Sequence, residues 1–291
     1  MVAPLQIGGG ITFGGGISVS AASSGPTVPT FTYSGTSQVY TQGTITMTPD
    51  GLTAYIPQPG GFTIHKATLG ASYDLTSFTV DASDSYPVDF SVNHTGTLAF
   101  NADGTKAITV LLIGSPTVCT YNLATPYDMS TITGSYTPSS SPLTLQTGAT
   151  SMFFADGGMK GYIMDGSLMS QWNLNSPYDI NSFSGAAVAT FNPTTAFSLN
   201  SFGQPQQFCL NATGTLGYLS SLGNSYNGDL TQFSLATPFD ISTSQTPQIA
   251  DVTGFGQYGT YYGIAINPAG NRILVQGPGG SGASLFQFNG S

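Results

Sequence analysis

The chain has 291 residues, with 4 Lys+Arg against 13 acidic residues, a net charge of -9, 6% charged and 40% hydrophobic content. Every acidic residue is Asp, and without Glu, Lys and Arg to clothe them, large amounts of soluble helix are excluded. Four basic residues cannot neutralise a run of phosphates, which argues against nucleic acid, and 18 Phe with 15 Tyr offer too much buriable surface for disorder throughout.

In chain order, the first stretch reads as a Gly-rich arm and linker over residues 1–28. Ile7-Gly8-Gly9-Gly10-Ile11 is echoed by Phe13-Gly14-Gly15-Gly16-Ile17, and a Ser/Ala/Pro segment follows. No basic n-region precedes an apolar run, so no signal peptide is expected. Two readings stand for the arm: a solvated tail, or a docking element that adds strands or a plug to a larger assembly. Ile7, Ile11, Phe13, Ile17 and Val19 are too apolar for the first, so docking is expected.

From residue 29 onward two words recur. One is an apolar strand ending in a Gly turn: Ile45-Thr46-Met47-Thr48-Pro49-Asp50-Gly51, Leu98 to Gly104, Ser151 to Gly157, Phe208 to Gly214 and Ile264 to Gly270. Asp-Gly between apolar runs predicts a hairpin, because Gly accepts the positive φ that the turn requires. The other word is a strand ending in an aromatic residue, then Thr/Ser-Pro-aromatic-Asp: Tyr121 to Ser130, Trp172 to Ile180, Phe233 to Ser242, and a degenerate copy, Ala67 to Leu75. Proline presets φ, and the Asp carboxylate can accept a backbone N–H two residues on. The glycines 51, 104, 157, 214 and 270 are spaced by 53, 53, 57 and 56 residues.

Four strands per unit and five units predict a five-bladed β-propeller over residues 29–291. The fifth unit lacks a fourth strand, and Pro29-Thr30-Phe31-Thr32-Tyr33 has the pattern of the missing one. Residues 29–34 are therefore expected to pair with residues 284–289. An open solenoid is the alternative, at the cost of bare apolar ends. The longest apolar stretch, Ile108 to Ile113, is too short to span a bilayer, so no membrane partner is expected.

Chemistry-bearing residues are few. His65 and His94 form no cluster at metal spacing, and no metal or cofactor is expected. Asp74, Asp128, Asp179 and Asp240 recur in the turns, and recurrence marks folding rather than catalysis. A glycosidase-like carboxylate pair would have to come from Asp alone. Lys66, Lys106 and Lys160 are read as scattered surface charges, Cys119 and Cys209 as buried thiols, and the aromatic column Tyr121, Trp172, Phe233 and Phe288 as packing between blades. Non-repeated aromatics with amide and hydroxyl neighbours, Tyr226, Phe255, Tyr258 and Tyr261, are the candidate glycan contacts.

The aromatic-x-Leu-x-Thr/Ser-Pro-Tyr/Phe-Asp-Ile-Ser word, the Asp-Gly hairpin in the same unit and the Gln6-Ile7-Gly8-Gly9-Gly10-Ile11-Thr12 opening resemble propeller-like repeats of virion structural proteins from tailed phages of marine and freshwater type. The resemblance implies a multi-copy particle component with no enzymatic residues, docked through its arm on capsid or tail proteins and displaying the propeller as decoration or to host-surface glycans. Two further readings stay open: a free secreted lectin-like propeller, and a glycan-cleaving enzyme using Asp residues.

Overall fold

In a computed structural model, the structure describes residues 11–13, 17–19, 31–40, 44–57, 63–87, 98–111, 117–140, 143, 149–166, 168–196, 202–223, 230–244, 248–250, 263–279 and 282–290. Among them the fold is all-β. The longest α-helical element is the single turn Pro193–Ala196.

In the arm, β1 (Ile11–Phe13) pairs antiparallel with β2 (Ile17–Val19), Phe13 opposite Ile17. Next comes β3 (Phe31–Tyr40). The first repeat supplies β4 (Thr46–Met47), β5 (Thr53–Pro57), β6 (Thr63–Thr68) and β7 (Thr79–Pro87). The second supplies β8 (Ala99–Phe100), β9 (Lys106–Leu111), β10 (Thr117–Leu123) and β11 (Ile132–Pro138). The third supplies β12 (Ala149–Ala155), β13 (Lys160–Asp165), β14 (Leu168–Asn173) and β15 (Ala189–Phe191). The fourth supplies β16 (Phe202–Leu210), β17 (Leu216–Gly223), β18 (Leu230–Ser234) and β19 (Gln248–Ala250). The fifth supplies β20 (Gly263–Ile266), β21 (Arg272–Gly279) and β22 (Gly282–Gly290).

Each of the first four repeats is one four-stranded antiparallel sheet in sequence order, and the fifth sheet runs β20-β21-β22-β3. The expected pairing of first and last segments is present: Phe288 stands opposite Tyr33, Asn289 opposite Thr32 and Gly290 opposite Phe31.

Second strands are buried on both faces, as in Tyr55 and Ile56 or Tyr162 and Ile163, because each sheet is sandwiched between neighbours. The aromatic that ends the third strand packs on the preceding sheet: Tyr121 with Tyr55 and Ile64, Trp172 with Ile108 and Val110, Phe233 with Tyr162. Leu274 and Leu285 of the fifth sheet pack with Ile45 and Ile56 of the first. Cys119 and Cys209 are free and buried.

Both repeated words form their turns, and they form them together. Gly51 N donates to Thr48 O, and Thr48 N to Thr53 O. Gly51 has φ +71 while Asp50 does not enter the positive region. This is a type I turn closed by a left-handed Gly. The Asp carboxylate serves as an acceptor, from Leu52 N at Asp50 and from Thr105 N at Asp103. In the other word the aromatic itself takes positive φ: Tyr73 +53, Tyr127 +59, Tyr178 +56 and Phe239 +61. Its N–H donates to the hairpin glycine's carbonyl, at Gly51, Gly104, Gly158 and Gly214. Its ring then covers that glycine.

The third repeat shows that Gly158, not Gly157, is the equivalent glycine, since Tyr178 covers Gly158 and nothing lies within 4 Å of a Cβ built on Gly157. Asp156 has φ +53 and Gly157 φ +63 there, so that hairpin carries two additional left-handed residues.

Candidate functional site

The first strand of each sheet faces a central channel. Ile45, Met47, Leu98, Phe100, Met152, Phe154, Phe208, Leu210, Ile264 and Ile266, drawn from all five repeats, line a cavity of about 270 Å³. Its polar wall is limited to hydroxyl, amide and thiol side chains such as Thr46, Asn101, Gln207 and Cys209.

Gln207 spans one side of this channel. Between Phe202 and Gln207, β16 departs from regular register against β17, and such an irregularity re-aims a side chain. The Gln207 amide oxygen accepts from Ile264 N at 2.8 Å and Ile45 N at 3.3 Å, and its nitrogen donates to Ile45 O at 3.1 Å. One neutral side chain thus bridges the fourth sheet to the fifth and the first.

The groups in this wall are poor acids and bases at neutral pH. Burial pushes the Cys209 thiol well above its usual range. Tyr73 is pushed up to about 12, by burial first and then by the charges of neighbouring groups including Asp50. Outside the channel wall, burial lowers His65. Among the described residues no cluster of three or more His, Cys or Asp could hold a metal ion. The described wall can bind by shape, apolar contact and neutral hydrogen bonds.

The repeated Asp residues lie in the turns. Asp74, Asp128, Asp179 and Asp240 accept the backbone N–H of Thr76, Ser130, Asn181 and Ser242 at 2.9–3.0 Å. Those hydrogen bonds, to the Thr76 backbone first, hold the Asp74 carboxyl below the usual carboxylate range.

The reading of the lysines as scattered charges needs correction. Lys106, Lys160 and Arg272 each stand two residues after the hairpin glycine, Gly104, Gly158 and Gly270. Lys160 Nζ donates to Phe239 O at 3.3 Å and lies 6.0 Å from that ring's centroid. Arg272 Nη1 donates to Ser72 O at 3.0 Å and Tyr73 O at 3.3 Å. Lys160 and Arg272 thus reach backbone carbonyls in the next sheet's turn. Aligned on Gly157, as the repeat spacing suggests, Lys160 stands one residue out of step, and the common offset emerges only with Gly158 as the equivalent glycine.

Of the arm residues singled out from the sequence, Ile11, Phe13 and Ile17 lie in the β1–β2 pair. Ile7, Gly8, Gly9, Gly10, Gly14, Gly15 and Gly16 lie outside the described residues, as do Tyr226, Phe255, Tyr258 and Tyr261.

No protein-family model matches the chain, and no curated protein matches it. Solved structures do. A Trichoderma reesei carbohydrate-active enzyme of family AA12 aligns with TM-score 0.51 at 11% identity, covering 91% of this chain and 98% of that one. A gluconolactonase from Xanthomonas campestris aligns with TM-score 0.45 at 12% identity, covering 90% and 95%. The β-propeller domain of Cps50 (Swd1) from Myceliophteria thermophila aligns with TM-score 0.42 at 10% identity and covers 82% of this chain. This chain spans 66% of that protein's length.

These matches give no support to the virion reading, and they correct the expectation that the chain is not an enzyme. A carbohydrate-active enzyme is built on a similar fold, so few acid–base groups in the described channel wall do not exclude catalysis. Fold and function are separate claims, and what the likeness establishes is an all-β, propeller-like chain.

Proposed function

We propose that the five sheets close into a five-bladed propeller carried on an arm, as a multi-copy structural component of an extracellular particle, a tailed-phage virion by the resemblance of its repeats. The observation that carries this reading is the meeting of Phe31 with Gly290 in one sheet. The arm thereby leaves the ring at the end of the sheets that bears the repeated turns. The strand ends flanking residues 224–229 and 251–262, which hold Tyr226, Phe255, Tyr258 and Tyr261, lie at the other end. In this reading mounting and glycan contact use opposite ends of the ring. Many copies bind a weak glycan by avidity.

The test is sedimentation of the full chain beside an Ile11→Asp/Ile17→Asp variant, which charges the β1–β2 pair. The native chain should assemble, and the variant should sediment as a folded 30.0 kDa monomer. A native chain that stays monomeric sinks the mounting scheme.

The channel cavity favours a second reading, an enzyme acting on neutral glycans or lactones. Its carboxylates would have to come from the Asp residues outside the repeated turns, Asp81, Asp84, Asp89, Asp165, Asp229 and Asp251. Hydrolysis of such a substrate by the full chain, abolished by Asn at one of these positions, would establish it.

A further inference from the structure

In every sheet the second and third strands pair through two opposed residues whose side chains meet the next sheet. In the first, third, fourth and fifth sheets they are Tyr55 with Lys66, Tyr162 with Gln171, Tyr218 with Gln232 and Leu274 with Gln287. At least one long polar side chain thus stands at each of these seams, and several reach the next sheet's turn. The Tyr55 hydroxyl donates to Tyr127 O at 2.6 Å, and the Tyr162 hydroxyl to Phe239 O at 2.7 Å. Gln171 Oε1 accepts from Ile241 N at 3.1 Å, and Gln287 Oε1 from Leu75 N at 2.8 Å.

The seam between the second and third sheets lacks this device. There the opposed pair is Ile108 and Thr120. A branched hydrocarbon offers no hydrogen bond, and a threonine hydroxyl is too short to take the place of a glutamine amide. The turn groups equivalent to those served elsewhere are the carbonyl of Tyr178 and the N–H of Ile180. Among the described residues neither has a hydrogen-bond partner, and neither does Lys106 Nζ, although Lys160 and Arg272 in the same position both bind carbonyls. The space left by the short pair is a cavity of about 130 Å³.

The cavity is walled by polar groups on a fixed frame. Lys106 and Asn122 stand opposite one another on β9 and β10, and Thr120 and Thr137 on β10 and β11. The third turn faces them. Two bonds pin that turn to the end of the second sheet: Ser139 Oγ donates to Ile180 O at 2.7 Å, and Ser140 N to Asn181 Oδ1 at 2.8 Å. The Asp179 carboxylate is held in place by Asn181 N at 3.0 Å. A ligand therefore meets a preformed wall, which lowers the cost of binding.

The wall also selects a chemistry. One ammonium, Lys106, and one carboxylate, Asp179, leave it without net charge, which disfavours a simple anion or cation. Ile180 N–H and Lys106 donate, Tyr178 O and the remaining Asp179 oxygen accept, and the Asn122 amide and threonine hydroxyls do both. Neighbouring hydroxyls on a sugar ring, each a donor and an acceptor, match such a mixed set. We infer that this cavity binds a neutral sugar, a single pyranose ring such as the terminal residue of a glycan. The site shares no residue with the glycan contacts proposed above, and it depends on neither the arm nor the closure of the ring.

The test is saturation-transfer difference NMR of the full chain with D-glucose, D-galactose, D-mannose and N-acetyl-D-glucosamine. At least one should bind, with a Kd of about 1–10 mM for one ring held by hydrogen bonds. Thr120→Gln installs the glutamine of the third and fifth sheets, which takes the Ile180 N–H and fills the cavity. It should abolish the signal and raise Tm by about 2–4 °C. Lys106→Met and Asn122→Ala should each weaken binding about tenfold with Tm unchanged. Absence of a signal from all four sugars overturns the inference. So does a signal that survives Thr120→Gln in a folded chain, or an affinity unchanged in both Lys106→Met and Asn122→Ala. A signal kept in Thr120→Gln but lost in Tyr258→Ala overturns this site and leaves the other glycan contacts standing.

Discussion

Gly104 shows how much of this fold depends on single backbone positions. It sits at φ +71, and a Cβ placed on it would come 2.4 Å from the Tyr127 ring. Tyr127 is itself held at φ +59, a conformation that costs an L-residue about 1–2 kcal/mol. Its N–H bond to Gly104 O at 2.8 Å and the ring contact over the glycine offset that cost. Two kinds of penalty therefore fall on Gly104→Ala, a backbone one of about 1 kcal/mol and a steric one, for a total of about 2–4 kcal/mol. Gly157 isolates the backbone part. It has φ +63 with nothing within 4 Å, so Gly157→Ala should cost only about 1 kcal/mol. Denaturant titration of the two variants compares them directly. Equal losses would show that the aromatic does not lock the hairpin.

At the scale of the strand, the inner strands are short and need help from side chains. β4 and β8 have two residues each. Gln207 supplies part of that help by binding both backbone groups of Ile45, next to β4, and the N–H of Ile264 in β20. Gln207→Leu keeps the volume and removes three hydrogen bonds, leaving backbone groups of the first and fifth sheets short of partners. A loss of about 2–4 kcal/mol is expected in thermal or denaturant unfolding. A neutral effect would mean that water serves those groups equally well.

The same scale separates what the sequence disclosed from what it did not. Turns were legible because their chemistry is local: Asp at the cap accepts an N–H two residues away, and proline sets φ. Closure through β3 was legible because a strand was missing from the count. The contact between the two words was not, because nothing in either shows that Tyr127 must fold back over Gly104. The seam bonds were hidden too, since Gln287 and Leu75 are 212 residues apart and long side chains carry no pattern of their partners. Neither the channel wall nor the bulge that aims Gln207 across it was read from the sequence, because an apolar strand lining a cavity has the same pattern as one packed between sheets. The candidate glycan contacts at Tyr226, Phe255, Tyr258 and Tyr261 were read from composition alone, which carries no geometry.

Taken as a whole, the molecule has few charges, and its response to pH follows from where its titratable groups lie. Asp74 is partly exposed and hydrogen-bonded, with its carboxyl held low. Its contribution is present above the ordinary carboxylate range and fades as pH falls below about 4. His65, lowered by burial, likewise favours the folded state above its ordinary value and loses that contribution as pH falls. The larger effect is alkaline. Tyr73 is raised to about 12, and burial raises Tyr162 and Tyr218 further. Between about pH 10 and 12 the unfolded chain releases these phenolic protons while the folded chain keeps them. The folded state then binds more protons, so stability must fall as pH rises through that window. Tyr73 alone accounts for about 2–3 kcal/mol by the upper end. The expected outcome is a denaturation midpoint nearly constant from about pH 7 to 8, declining as the unfolded chain's two thiols ionise near their ordinary value while burial keeps them protonated in the fold. It then drops steeply above about pH 10, with part of the phenolate absorbance appearing only as the chain unfolds. If all 15 tyrosines ionised in one step near the usual value while circular dichroism stayed native, these rings would not be sealed between the sheets, and the packing that joins one repeat to the next would be wrong.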